Sequence, residues 1–535
     1  MDSSMQHPEL LVSDILASGA ARHPDSRVHE YRDGVFTSRT FLEIESEAKR
    51  LAAALSAIGV QRDDIIATLC WNTTEHLVSY FAVPSIGAVL HTINLRLHDE
   101  QLIYIVNHAR DRVILISADL VPLLEHVIIH MPTLKHIIVV GPASMNAPAG
   151  VEIHDYRELV ESASPDVEWP TVPEKSAAIL CYTSGTTGNP KGVAYSHRSI
   201  YLHTLMLCTA EAFGFTDSDC VFPVVPMFHA NAWGWPHAAW LAGSDIVMNG
   251  RHLGVEHLAR IITELKPTVC AAVPTLWTAL DQYGLQHDVS YASLRLAVVG
   301  GSALSPALAT SMLEHHDVKL TQGWGMTESS PLLTLSVPPA DTDSRDWINW
   351  ATMSGRLMPV VKARIVDESG SELPWDGVSI GEVELAGPTI AGQYFRVDHN
   401  EMPSDSKFRG GWLRSGDAAV IHRGGWVEIR DRLKDGIKSG GEWVSSIELE
   451  NLLLEHPAIS EAVVVGVPDA KWEERPLACV VLRRGHASTT ADDLRTYLAP
   501  KLAKWAIPER WEFLNEIPKT SLGKIDKRRV RADYG

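Results

Sequence analysis

Short apolar runs, each followed by a helical stretch, recur through the first two-thirds of the chain, and this alternation limits the fold more than any single residue does. Ile65-Ile66-Ala67-Thr68-Leu69-Cys70 is one such run, and a helical pattern follows it from about Thr74 to Ala88. Val113-Ile114-Leu115-Ile116 and Ile137-Ile138-Val139-Val140-Gly141 read as further buried strands. Leu296-Ala297-Val298-Val299-Gly300 leads through Gly301-Ser302-Ala303 into another helix. Unbroken apolar runs belong to strands covered on both faces, which is the situation in parallel sheets layered with helices. An α/β architecture with layered, largely parallel sheets is therefore expected.

From about Met358 the texture changes. Ala363-Arg364-Ile365-Val366, Gly381-Glu382-Val383-Glu384-Leu385 and Trp426-Val427-Glu428-Ile429-Arg430 alternate between Gly and Pro breaks. That pattern predicts a small β-barrel-like or antiparallel subdomain over about 358–430. A small α+β module follows. A helix is expected over Ser445–His456, stopped before Pro457, with strands at Ala462–Val467 and Leu477–Leu482 and a helix over Ala491–Leu502. The division expected is a large N-terminal domain, 1–431, and a small mobile C-terminal domain, 432–535, with the boundary near Asp431–Lys434.

The 535 residues exceed what one ordinary core organises. No stretch approaches the roughly 20 uninterrupted apolar residues of a membrane span. The start, Met1-Asp2-Ser3-Ser4, lacks the basic and apolar regions of a signal peptide, so a cytoplasmic chain with no integral membrane segment is expected. The six cysteines are scattered without a Cys-x-x-Cys pair, which fits reduced thiols and gives no expectation of a zinc site. The net charge of −19 makes nucleic acid an unsuitable partner. Anionic ligands would have to be held by local cations.

One loop is built for that task. Cys181-Tyr182 ends a strand, and Thr183-Ser184-Gly185-Thr186-Thr187-Gly188-Asn189-Pro190-Lys191-Gly192 follows. Glycines let the backbone approach a polyphosphate closely. Successive N–H groups form an anion nest, the hydroxyls add donors, and Lys191 adds a point charge. The spacing is not that of a Walker A loop.

This string, with its Pro-Lys-Gly end, resembles the signature of the adenylate-forming superfamily, which includes acyl-CoA synthetases, firefly luciferase and peptide-synthetase adenylation domains. Further motifs in the family's order span nearly the whole chain. The resemblance implies that Thr183, Ser184, Gly185, Thr186, Thr187, Gly188 and Lys191 hold the phosphates of ATP, and that Thr183 and Glu328 hold Mg2+. Pro226-Met227-Phe228-His229-Ala230-Asn231-Ala232-Trp233 is similar to a motif whose histidine, here His229, lies beside the substrate carboxylate. Ala230, Trp233 and Thr275 would then meet the acyl group, with Leu276, Trp277 and Trp235 lining the same pocket and bulky Trp235 shortening it.

By the same resemblance Gly301 and Ser302 lie against adenine and ribose. Gln322-Gly323-Trp324-Gly325-Met326-Thr327-Glu328 brings backbone near the base and Thr327 to the α-phosphate. The family more often has tyrosine where Trp324 stands, so stacking is kept and a phenolic hydrogen bond is lost. Asp417, in Ser415-Gly416-Asp417, would hold the ribose hydroxyls and Arg432 would contact the ribose. Lys434 marks the hinge, Lys438 and Trp443 meet the nucleotide, and Gly440 and Gly441 border a channel for CoA. Lys524, closing Ile517-Pro518-Lys519-Thr520-Ser521-Leu522-Gly523-Lys524, corresponds to the catalytic lysine.

The implied reaction has two halves: a carboxylate attacks the α-phosphorus of ATP to give acyl-AMP and pyrophosphate, and the CoA thiol then displaces AMP. The motif texture is most similar to bacterial medium- and long-chain fatty acyl-CoA ligases, some of which pair as homodimers through the N-terminal domain. An aryl or branched acid, and a carrier protein or an amine as acceptor, stay open. A non-catalytic nucleotide-binding role is a further alternative, opposed by the retained Lys191, Glu328 and Lys524.

Overall fold

The structure is a computed structural model that describes residues 3–183, 189–339, 342–343, 346–396, 407–439, 442–469, 471–520 and 524–535. Seven strands form one sheet in the order Glu152–Asp155, His136–Val140, Val113–Ser117, Ile65–Leu69, Val89–Thr92, Ala177–Tyr182, Gly192–Ser196. All neighbours in it are parallel except the last pair. The loop after Tyr182 therefore leaves from the carboxyl ends of parallel strands, where open α/β sheets place their ligands.

Helix Thr74–Ser85 begins where the Thr73 side chain accepts the His76 N–H at 3.3 Å. It is buried almost all round, as a helix between two layers must be. Phe81 and Tyr80 reach Trp240 and His237 of helix Trp235–Ala242, on the side of the second sheet. Trp240 is fully buried, stacks on Phe41 with ring centroids 3.9 Å apart, and donates its indole N–H to the Leu16 carbonyl at 3.0 Å.

The second sheet has fifteen strands. Arg27–Arg32, Asp245–Met248, Cys220–Pro223, Val269–Ala272, Leu296–Val299 and Leu320–Gly325 run parallel. At Leu320–Gly325 the pairing becomes antiparallel, with a register shift between Trp324 and Gly325. The sheet then continues through Leu332–Leu335, Gly355–Leu357, Trp426–Arg432, Trp412–His422, Gly381–Ala386 and Lys362–Val366. The antiparallel texture expected after Met358 is present, but its strands are hydrogen-bonded onto the parallel sheet rather than set apart from it.

The remaining residues form a five-stranded sheet of Glu442–Val444, Ile437–Ser439, Glu473–Leu482, Ile459–Asp469 and Arg510–Phe513. Two helix ends fall short of the sequence expectation. Ser446–Leu454 begins where the Ser445 side chain accepts the Glu448 N–H, and its last turn tightens as His456 N–H donates to Leu453. Ala491–Leu498 ends before Pro500, which has no N–H to continue the helical ladder, although Ala499 itself keeps helical dihedrals.

This module is tied to the strand before it. Asp431 Oδ2 accepts both the backbone N–H of Ser446 at 2.6 Å and its hydroxyl at 2.7 Å. Lys527 donates to the same hydroxyl and pairs with Glu450 at 2.7 Å, and Arg531 pairs with Asp435 at 2.8 Å. Among the described residues no helix is long and apolar enough to cross a membrane.

Replacing Trp240 by alanine removes a stacked, hydrogen-bonded indole from the layer between the sheets. A loss of about 3–5 kcal/mol is expected, read as a lowered unfolding midpoint in denaturant. An unchanged midpoint would show that the two layers do not depend on this contact.

Candidate active site

Asp417 is the buried charge around which the site is assembled. It lies on strand Trp412–His422, in register with Arg432 on the neighbouring strand. Arg432 Nε is 2.7 Å from Oδ1, and Trp324 Nε1–H donates to Oδ2 at 3.1 Å. Burial raises the Asp417 pKa, while Arg432, Lys407 and the indole hydrogen bond oppose that rise. The tryptophan at the family's tyrosine position thus supplies a donor of its own, to the carboxylate expected at the ribose.

The strand end at Gly300-Gly301 faces this group. The Gln322 side-chain oxygen accepts the Leu304 N–H at 2.6 Å and fixes the turn. Gly301 has φ +86°, and a β-carbon there would stand 3.1 Å from Cε of Lys524. A side chain would strain the backbone and press on the lysine. At Gly300 a β-carbon would lie 2.6 Å from the Trp233 ring, so the indole sits directly on the backbone. Ser302 is exposed beside it.

Lys524 reaches the large domain's strand ends from the C-terminal module. Desolvation, then Arg432, brings its pKa down to about 8 against the pull of Asp417. His229 is brought down to about 3 by desolvation and by the charge of Lys524. Its imidazole is therefore neutral at physiological pH and able to position a ligand by hydrogen bonding.

Glu328 is buried, and its Oε1 accepts the hydroxyl of Tyr394 at 2.7 Å. The Tyr394 ring lies under Lys191 Nζ at 5.1 Å, so one tyrosine connects the phosphate-loop lysine to the acidic residue. Thr327, also buried, accepts the Tyr195 hydroxyl on its carbonyl at 2.6 Å. Met326 donates its N–H to Pro331 and Ser329, while Gly323 and Gly325 pair with the strand at Leu332–Leu335. Lys407 donates to the Ser415 carbonyl at 3.1 Å, and desolvation lowers its pKa against the attraction of Glu328 and Asp417. A buried carboxylate with a second oxygen beyond the one Tyr394 engages suits Mg2+, which commonly takes one carboxylate together with phosphates and water.

The base of the phosphate loop is closed by Thr183 N–H to the Lys191 carbonyl at 2.9 Å and Lys191 N–H to Thr183 Oγ1 at 3.3 Å. Ser184, Gly185, Thr186, Thr187 and Gly188 lie outside the described residues, as do Gly440 and Gly441. A narrow cleft bounded by Thr92, Tyr182, Thr183, Pro190, Phe228 and His229 joins the loop to the histidine.

The segment after His229 is a left-handed turn: Ala230, Asn231, Ala232, Trp233 and Gly234 have φ of 43°, 55°, 47°, 59° and 76°. Each non-glycine residue in that conformation costs roughly 1–2 kcal/mol. Neighbours hold it there. Asn231 Oδ1 accepts Cys181 Sγ–H at 3.0 Å, and the stretch leading into the turn is fixed by Asn72, whose Oδ1 accepts the Met227 N–H at 2.7 Å while its amide donates to the Pro223 and Val225 carbonyls.

Two aromatics expected in the acyl pocket are elsewhere. Trp235 is fully buried and packs edge-on against Phe213 and Phe215. Trp277 is fully buried and donates to the Val298 carbonyl at 3.1 Å. Both are core residues. Thr275 is exposed in the first turn of helix Pro274–His287. Lys438 is exposed, 4.0 Å from Glu368, and the Trp443 ring lies on Gly436; the two residues face each other across the hairpin of Ile437–Ser439 and Glu442–Val444. Lys434 lies in the turn after Arg432. Tyr394, Lys407 and Asn72 were not singled out from the sequence. Each is a lone residue acting through a partner, without a motif spacing, whereas Asn231 stood inside the Pro226–Trp233 motif without a role of its own.

Residues 16–395 match the AMP-binding enzyme family and residues 448–524 match the AMP-binding enzyme C-terminal domain. The chain belongs to the AMP-binding enzyme family. It is 38% identical to a 3-methylmercaptopropionyl-CoA ligase of Ruegeria lacuscaerulensis, over 100% of this chain and 99% of that one. It is 40% identical to a long-chain-fatty-acid–CoA ligase of Thermus thermophilus, over 99% and 97%. Among solved structures, an anthranilate CoA ligase in complex with anthranoyl-AMP superposes with a TM-score of 0.89 at 26% identity, covering 100% of this chain and 99% of that one.

The lowered Lys524 pKa has a direct kinetic consequence if this lysine must be charged to stabilise phosphate. Below pH about 8 it is protonated, and above that it becomes neutral. The kcat/KM for acid-dependent pyrophosphate release, which reports the free enzyme, is expected to fall as pH rises through that value. His229 should add no step near its ordinary value of about 6.5. A profile flat into the ordinary lysine range would contradict the assignment.

Proposed function

We propose that this chain activates a medium- or long-chain fatty acid as its acyl-adenylate, with release of pyrophosphate, and passes the acyl group to CoA. The reaction class, acid–CoA ligation through an acyl-adenylate, is the one that its family and full-length relatives carry, with ATP and CoA as substrates. The observation that carries the reading is the meeting of Lys524 with Gly301 beside Asp417 and Arg432, since it brings a cation of the C-terminal module to the nucleotide end of the cleft.

In this reading the ribose hydroxyls bind Asp417, the adenine lies along Trp324 and the Gly301 turn, and Lys191 anchors the outer phosphates. Neutral His229 orients the substrate carboxylate. Protonated Lys524 bridges that carboxylate and the α-phosphate, offsetting charge as the new P–O bond forms and the bond to pyrophosphate breaks. Thr183 and Glu328 would hold Mg2+, which supplies charge neutralisation on the phosphates. Positioning and preorganised charge do the work, and no enzyme nucleophile is needed. Residues 432–535 act as a lid pivoting near Lys434, and Gly440 and Gly441 border the CoA thiol's path in the second half.

The acyl group extends from His229 toward Trp233, whose ring on Gly300 bounds the space. Each buried methylene contributes about 0.8 kcal/mol, so this boundary sets the length preference. A second reading, a short thioether acid, is favoured by the full-length similarity to the 3-methylmercaptopropionyl-CoA ligase.

Pyrophosphate release across fatty acids of graded length, 3-(methylthio)propionate and aryl acids, with and without CoA, separates these readings. The first expects the highest kcat/KM on medium or long chains and acyl-CoA as product. A maximum on the thioether acid selects the second, and an absence of release on every acid refutes both. Lys524→Ala is expected to slow adenylation by about 100-fold or more while leaving thioester formation from supplied acyl-AMP within a few-fold. Equal damage to both half-reactions would remove Lys524 from the role given to it.

A further inference from the structure

The far edge of the seven-stranded sheet carries a cluster that the adenylation chemistry does not use. His136 opens strand His136–Val140, and Glu152 and His154 lie two residues apart on the edge strand Glu152–Asp155, hence on one face. The register sets Glu152 opposite His136 and His154 opposite Ile138. His136 Nδ1 and His154 Nε2 are 3.1 Å apart, and Glu152 Oε2 is 3.6 Å from the first and 3.8 Å from the second.

These three atoms have the spacing of ligands around one ion. Bonds of about 2.0–2.2 Å in a tetrahedron place neighbouring ligand atoms about 3.3–3.6 Å apart. Two imidazoles and a carboxylate are a donor set that zinc takes readily. The cysteine pattern had given no reason to expect zinc, and these ligands need none. The His136 side chain is 11% exposed, whereas the Glu152 side chain is 71% exposed, so the cluster has one anchored and one adjustable ligand.

His136 and Glu152 also line a groove of about 440 Å³ with Asp64, Arg110, Arg112 and Lys135. Water from this groove would complete a tetrahedral set of ligands. Arg112 is 3.5 Å from Asp64, which offsets part of the positive charge a bound cation would meet. The groove lies at the amino ends of the parallel strands, across the sheet from the loop after Tyr182.

We propose that His136, Glu152 and His154 form a zinc-binding site that staples the edge strand Glu152–Asp155 to its neighbour, remote from the adenylation cleft. In its ligand-free state the two imidazoles share a hydrogen bond. On binding, each offers a nitrogen lone pair and the strand pair is cross-linked through the ion.

The test uses the untagged full chain after chelator treatment. Co2+, as a spectroscopic stand-in, is expected to give visible d–d bands that saturate at one equivalent and are displaced by Zn2+. Calorimetry should give one Zn2+ per chain, and Zn2+ should raise the thermal midpoint. His154→Gln and Glu152→Gln should each weaken Zn2+ binding at least tenfold and remove the midpoint shift, with acid-dependent pyrophosphate release in Mg2+ unchanged. Glu152 is exposed enough that its variant keeps the fold even if the histidine variant does not. Absence of saturable Co2+ or Zn2+ binding, or binding that neither variant weakens, would overturn the site.

Discussion

A charged carboxylate withdrawn from water must be neutralised locally, and the way Asp417 is neutralised ties the cleft to the C-terminal module. An unpaired buried charge costs several kcal/mol, so Arg432 and Trp324 are held to it from two directions. Trp324 stands at the register shift where the parallel sheet turns antiparallel. Arg432 ends the last strand before the C-terminal module. Its neighbour Asp431 bonds the first helix of that module. Two consecutive residues thus secure the Asp417 end of the cleft on one side and the C-terminal module on the other, and that module brings Lys524 back to the same group.

The acid end of the cleft is held differently. There the backbone itself is forced into a left-handed turn; Asn231 anchors the turn to Cys181, and Asn72 fixes the stretch that leads into it. Asn72 starts at the carboxyl edge of one sheet and bonds the segment leaving a strand of the other, so the two sheets are registered at the point where a substrate would lie between them. Desolvation keeps His229 neutral in the same place. One end of the cleft is organised by paired charges and the other by uncharged contacts.

Much of this was legible from local pattern. The strands at Ile65, Val113, Ile137 and Leu296 appear within about a residue of expectation, because doubly covered parallel strands leave unbroken apolar runs. The joining of the antiparallel strands to the parallel sheet was not legible, since pairing between Leu320–Gly325 and Leu332–Leu335 leaves no composition signal. Asp417, Glu328 and Lys524 stood in recognisable strings, whereas Tyr394 and Lys407 act through partners distant in sequence and have no string to mark them. Trp235 and Trp277 were misplaced for a physical reason: an apolar aromatic suits a pocket wall and a core equally, and only packing against Phe213, Phe215 and the Val298 carbonyl separates the two.

The turn at Ala230–Gly234 also governs how this cleft could be diversified. β-Branched residues are the least tolerant of positive φ, so valine, isoleucine and threonine are poor replacements at four successive positions of this turn. Side chains unbranched at the β-carbon are accommodated, as Trp233 at φ 59° shows, so what the turn restricts is branching. The Gly300 strand end opposite Trp233 is no freer, because a β-carbon there would meet the indole at 2.6 Å, so both sides of this contact resist substitution for different reasons, one by backbone conformation and the other by space.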